Sequence, residues 1–185
     1  FRYWGCDLSA EQIAANEIQR NVIAKGADIQ WVCGDATELL DGAPSADFVF
    51  SCPPYGDLER YSDDPRDLST MEYHTFLAAF KRIILRCAKK LKDNRFACFV
   101  VGDFRDGKKG FYRGFVTDTI SAFRENGMNL YNDGILITSY GSVSLRAGKQ
   151  FDSSRKLGKT HQNVLVFIKG DPIIATNEIK NRNGL

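Results

Sequence analysis

The chain has 185 residues, enough for one domain with a sizeable core, and its 43% hydrophobic and 26% charged residues are those of a soluble globular protein. No apolar run approaches the ~20 residues of a membrane span, and no signal peptide precedes the early Asp7. A net charge of +2 selects no partner by itself. The five cysteines, Cys6, Cys33, Cys52, Cys87 and Cys98, are odd in number and contain no CxxC pair. Four of them sit inside apolar runs, as buried thiols do, which argues against a disulfide framework or a zinc site and for a reducing, cytoplasmic setting.

The chain begins without Met, directly on a strand-like run, so a shortened amino end is expected. Phe1, Tyr3, Trp4 and Cys6 read as a short buried strand stopped by Asp7. Ser9 is an N-cap candidate, with Glu11 and Gln12 in the first turn. Ala14, Ile18 and Val22 fall four apart and give one helical face, ended by Gly26. Ile29 to Cys33 is a second strand, closed by Gly34-Asp35, and Asp47 to Phe50 a third after a short polar stretch.

The loop from Ser51 to about Thr70 is long for a compact domain, which marks it as functional. Phe76, Phe80, Ile83, Ile84, Cys87 and Leu91 then predict a strongly amphipathic helix, and Phe96 to Val101 a strand buried on both faces. A basic, glycine-rich loop, Gly102 to Gly110, precedes a helix with Val116, Ile120 and Phe123 on one side. Leu130 to Thr138 and Asn163 to Lys169 read as the last strands, joined by a polar loop, and residues 172–185 as a frayed tail. Strands alternating with helices predict an α/β domain over residues 1–171, with a mainly parallel sheet covered on both faces and a terminal antiparallel hairpin.

Ligands of such sheets bind outside the carboxyl ends of the strands. Asp7 follows the first strand, Asp35 the second, and Ser51-Cys52-Pro53-Pro54-Tyr55 the third. A carboxylate there can accept from both hydroxyls of a ribose, and a second can meet an adenine amino group. For either aspartate alone, a helix cap or turn role fits as well. Two prolines fix φ and remove two donors, which leaves carbonyls free to accept from an exocyclic amine. Tyr55 offers a flat face on which an extruded base can stack.

On these residues the chain resembles the amino-methyltransferases of DNA, which methylate adenine N6 or cytosine N4. Their catalytic motif is Asp, Asn or Ser, then Pro-Pro, then an aromatic, and Pro53, Pro54 and Tyr55 match its last three positions. The resemblance runs from Gly5-Cys6-Asp7-Leu8-Ser9 to His161-Gln162-Asn163-Val164-Leu165-Val166-Phe167. It also touches phage-borne DNA methylases, including those of restriction-modification, around Asp67-Leu68-Ser69 and Arg155-Lys156. It implies a Rossmann-like methyltransferase fold with S-adenosylmethionine as methyl donor, held by Asp7, Leu8, Asp35, Ala36 and Ser51, and no metal. The family's glycine-rich cofactor loop belongs ahead of Phe1, so the first strand of the sheet is expected to be absent.

Cys52 stands where the family has Asp, Asn or Ser. A thiol accepts hydrogen bonds weakly, so the Pro53 carbonyl would carry most of the amine recognition. Alternatively Cys52 simply fills the space of Ser, or is a nucleophile for cytosine C5 methylation. The missing Asp favours cytosine N4 over adenine N6. An RNA base such as guanine N2, or a non-catalytic nucleic-acid-binding domain, are further readings. Two loops have the composition for phosphate contact: Arg105, Lys108 and Lys109 in the first, and Arg146, Lys149, Arg155, Lys156 and Lys159 in the second, with Phe151 and His161 interspersed. His74 reads as a surface residue.

Overall fold

Two parallel strands, β1 (Arg2–Asp7) and β2 (Asp28–Cys33), pair in register from Arg2↔Asp28 to Asp7↔Cys33 and are joined by α1 (Ala10–Ile23). This computed structural model describes residues 1–137 and 143–183. Ser9 caps α1 as its position predicts, its hydroxyl accepting from Gln12 N at 3.1 Å. A short helix, α2 (Ala36–Leu39), leads to the second sheet. There β3 (Ala46–Ser51), β4 (Leu91–Val101), β5 (Met128–Ile137) and β6 (His161–Lys169) lie in the order β3-β4-β6-β5.

β3 and β4 are parallel, and β6 is antiparallel to both of its neighbours. Three of these four strands therefore share one direction, and the expected terminal hairpin is formed by β6 folding back between β4 and β5. Among the described residues no strand pairs with β1 on the side away from β2, or with β3 on the side away from β4. The strands thus form two separate sheets, one of two strands and one of four.

α3 (Tyr73–Lys90) and α4 (Phe115–Glu125) cover one face of the larger sheet. Phe76, Phe80, Ile84 and Leu91, predicted from their spacing, are at most 1% exposed and pack with Phe99, Phe115, Phe123 and Phe167. The rings of Phe123 and Phe167 stack at 3.8 Å between centroids, and those of Phe99 and Phe123 meet edge-on at 4.9 Å.

Several expectations are corrected. The stretch read as a polar loop before β6 contains a helix, α5 (Val143–Ser154). Its apolar positions Val143, Ala147 and Phe151 do fall four apart, but Gly148 and the polar residues around it dilute the pattern. Residues 172–183, read as a frayed tail, form α6 (Pro172–Asn183). Pro172 opens it, the Asp171 carboxylate accepts from Ile173 N at 2.7 Å, Ala175 is fully buried, and Glu178 pairs with Arg95. Finally, β1 is not a buried strand: only Gly5 within it is buried, and no residue of α1 is. The apolar face of α1 is present, but Ile18 and Val22 on it are exposed. All five cysteines are free, yet only Cys87 is buried, while Cys33 and Cys52 are exposed. β4 is likewise covered fully on one face only, with Phe96 and Cys98 half-buried on the other.

Candidate active site

β3 ends at Ser51, opposite Phe99 of β4. The chain then leaves the sheet as Cys52-Pro53-Pro54-Tyr55 and turns at Gly56, whose φ of +54° favours glycine. The turn also has no room for a side chain, since a Cβ on Gly56 would lie 2.8 Å from Cζ of Phe104. Tyr55 is thereby swung across the carboxyl end of β4. Its ring lies against Gly102, where a Cβ would sit 3.4 Å from Cε2, and 6.2 Å from the ring of Phe115. Tyr55 is half-buried, packed on the rim of the aromatic core rather than inside it. Burial raises its phenol well above the ordinary value, and the neighbouring Cys52 adds to this, so the hydroxyl is protonated throughout the physiological range. That hydroxyl is 4.0 Å from Sγ of Cys52.

Asp7 and Asp35 close the two parallel strands side by side, linked by Gly34 N donating to Asp7 O at 2.8 Å. Each uses one carboxylate oxygen locally: Asp7 Oδ1 accepts from Ser9 N at 2.8 Å, and Asp35 Oδ1 from Thr37 N at 2.7 Å as the cap of α2. A carboxylate has two acceptor oxygens, so these turn roles leave Oδ2 of each residue with acceptor capacity. Leu8 and Ala36 follow them, both half-buried.

The long loop connects β3 to α3. At one end Tyr61 donates to Glu59 at 2.7 Å, which pushes the Tyr61 phenol up to about 12, and this pair contributes to the electrostatics of Tyr55. At the other end Arg66 holds Asp64 at 2.6 Å and feels Asp35 and Glu38. Between them Asp67 accepts from Ser62, Ser69 N and Ser69 Oγ at 2.7, 2.8 and 2.7 Å, and Ser69 Oγ accepts from Tyr61 N at 3.0 Å. The loop is thus knit together by its own side chains.

The two basic loops meet. Lys156 lies so close to Gly110 that a Cβ there would be 2.6 Å from its Nζ. An open cleft of about 350 Å³ between the loops is lined by Asp103, Tyr112, Leu157, Gly158, Lys159 and His161. Lys108, Lys109, Lys149 and Arg155 are exposed. Arg105 instead holds the first loop together, stacked 3.9 Å over the Tyr112 ring and donating to Gly110 O at 2.9 Å. The Arg146 side chain lies outside the described residues. His74 is exposed at the start of α3. Residue-by-residue reading missed Gly56, Gly102, Phe111 and Tyr112. The aromatic pair directly after Lys108-Lys109-Gly110 was the available signal for the last two.

A larger hollow of about 430 Å³ lies at the opposite end of β3, beneath α6. Its charged residues are engaged with one another, Arg95 bonding to Asp47 at 3.2 Å and to Glu178. Among the described residues no cluster of His, Cys, Asp or Glu is suited to a metal, and no helix is long and apolar enough to cross a membrane.

Two sheets, β1-β2 and β3-β4-β6-β5, covered by helices and followed by acidic and diproline groups at strand ends, give an α/β, Rossmann-like fold of the kind found in solved methyltransferases. Solved structures agree. TTHA0409 of Thermus thermophilus, a proposed DNA modification methylase crystallised with S-adenosyl-L-methionine, matches with a TM-score of 0.54 and 19% identity, over 74% of this chain and 54% of its own. TrmN of the same species matches at 0.55 and 10% identity, over 91% of this chain and 36% of its own. Precorrin 8w decarboxylase from Methanobacterium thermoautotrophicum matches at 0.54 and 16%, over 90% and 69%. At these identities the likeness is one of fold, and the chain spans about half the length of the DNA modification methylase. No family model and no curated protein matches the chain.

Proposed function

We propose that this chain is the catalytic part of an S-adenosylmethionine-dependent methyltransferase acting on an exocyclic amine of a flipped DNA base, cytosine N4 or adenine N6. The observation that carries the reading is the placement of Tyr55. A half-buried aromatic ring, set against Gly102, follows the carboxyl end of β3, and carboxylates with acceptor capacity left over follow the carboxyl ends of β1 and β2.

The donor set fits the cofactor's nucleoside end. Asp7, with Leu8, would take the ribose hydroxyls; Asp35, with Ala36, would take the adenine; Ser51 closes the site at the end of β3. Bound there, S-adenosylmethionine supplies an electrophilic methyl group carried on a sulfonium. The chain's own residues do the rest by positioning. Pro53 and Pro54 present carbonyl oxygens without competing N–H donors. An amine bonded to the Pro53 carbonyl has its lone pair drawn out of ring conjugation and aimed in line, which lowers the barrier without a covalent step. Tyr55 stacks the base, a contact of roughly 1–3 kcal/mol.

Cys52 is exposed, and its described partner is the Tyr55 phenol, neither a cation nor a helix N-terminus of the kind that activates a thiolate. That supports a space-filling or weakly polar role over C5 chemistry. The likeness to TrmN over most of the chain keeps an RNA base as the second reading. The test is radiolabelled methyl transfer by the full gene product to DNA and to RNA. Tyr55→Ala is expected to lower transfer to DNA about 10- to 100-fold, and Tyr55→Phe to restore most of it. Equal activity in Tyr55→Ala, or label in RNA alone, would refute the DNA reading.

A further inference from the structure

Phe111, in the loop after β4, is 72% exposed and is not among the residues packed on the core, whereas its neighbour Tyr112 is covered on one side by Arg105. The backbone beneath it is firmly held. Asp106 N donates to Phe111 O at 2.8 Å, Gly110 N to Asp106 O at 2.9 Å, and Lys108 N and Lys109 N to Asp106 Oδ1 at 2.9 and 2.6 Å. Arg113 clamps the same carboxylate at 2.9 Å, and Arg105 and Tyr112 form an antiparallel bridge across the hairpin. A ring held out in water on such a rigid turn contributes little to folding. It is flanked by the exposed Lys108 and Lys109 and by Lys156 against Gly110, cations at phosphate-contact positions.

The hairpin is also fixed to the base site. Phe104 at its root fills the space beside Gly56, and Gly102 receives the Tyr55 ring with Gln162 alongside. An enzyme that extrudes a base from a duplex leaves a gap in the stack, and apolar side chains inserted between base steps are how proteins fill or open such gaps. We propose that Phe111 is the wedge that enters the DNA stack as the target base swings onto Tyr55, with Lys108, Lys109 and Lys156 on the flanking phosphates. This rests on the base-methylation reading above and assigns a residue to the extrusion step.

Two readouts on the full gene product test it. In the first, permanganate reactivity of thymines in bound duplex DNA reports unstacking without any cofactor. The native protein is expected to raise it, Phe111→Trp to preserve the rise, and Phe111→Ala to abolish it. In the second, methyl transfer is compared on single-stranded and duplex DNA of random sequence. Phe111→Ala is expected to lose about tenfold or more on duplex, while staying within about twofold on single strands, where no stack needs refilling. An equal loss on both substrates, no loss on either, or a duplex-specific loss in Leu157→Ala instead, overturns the wedge while leaving the methylation reading intact. If the native protein methylates neither form of DNA, the reading itself fails and the wedge falls with it.

Discussion

In the four-stranded sheet, Phe76, Phe80, Phe99, Phe115, Phe123 and Phe167 are each at most 1% exposed, whereas in the β1–α1–β2 unit Ile18, Val22 and Ile23 are 67, 78 and 80% exposed. Both units have regular parallel or mixed strand pairing, so secondary structure alone does not separate them. What separates them is burial. The larger sheet is closed by α3 and α4 and holds the diproline segment and Tyr55 on a stiff support. The smaller one carries Asp7 and Asp35 on a hydrogen-bonded frame with little apolar surface removed from water, and that surface is the main source of stability.

The largest test of this contrast is a pair of truncations followed by urea unfolding. Phe123→Ala is expected to cost about 3–5 kcal/mol, and Val22→Ala to stay within about 0.5 kcal/mol. Comparable costs would mean that α1 is covered in solution. A second comparison sits within the site. Gly56→Ala meets both a φ of +54° and the Phe104 ring at 2.8 Å, while Gly107→Ala meets nothing within 4 Å. The first is expected to cost about 1–3 kcal/mol and to lower methyl transfer, and the second to change neither measurably.

How far these features could be read in advance depended on whether their cause was local. The α3 face was legible because Phe76, Phe80, Ile84 and Leu91 repeat at helical spacing and are strong apolar residues. The Ser9 cap and the diproline after β3 were legible for the same local reason. The burial of β1 was not, because an apolar strand sequence states what could be buried and not whether anything covers it. α6 was hidden because its stability rests on distant partners: Ala175 in the interior and the pairing of Glu178 with Arg95, more than 80 residues away. Gly102 and Gly56 were invisible as site residues, since their role is to leave room for Tyr55 and for Phe104.

A further expected effect is alkaline and touches both units. Burial pushes the Cys6 thiol up to about 11 and the Cys87 thiol up to about 12 from an ordinary value of 9.0. Folded values raised above the unfolded ones mean that the stability they support is complete below pH 9 and is lost as pH rises toward 11 and 12. Urea midpoints are therefore expected to fall above pH 9, and less steeply in Cys87→Ala once its own cavity cost is allowed for. An unchanged midpoint from pH 8 to 11 would show both thiols to be open to solvent.

The chemistry itself is tested most directly by nucleoside mass spectrometry of DNA methylated by the native full gene product and by its Cys52→Ser form. A carbonyl-and-stacking site that works on an amine predicts an N-methylated base from both proteins. A 5-methylcytosine product that disappears with the thiol would contradict it.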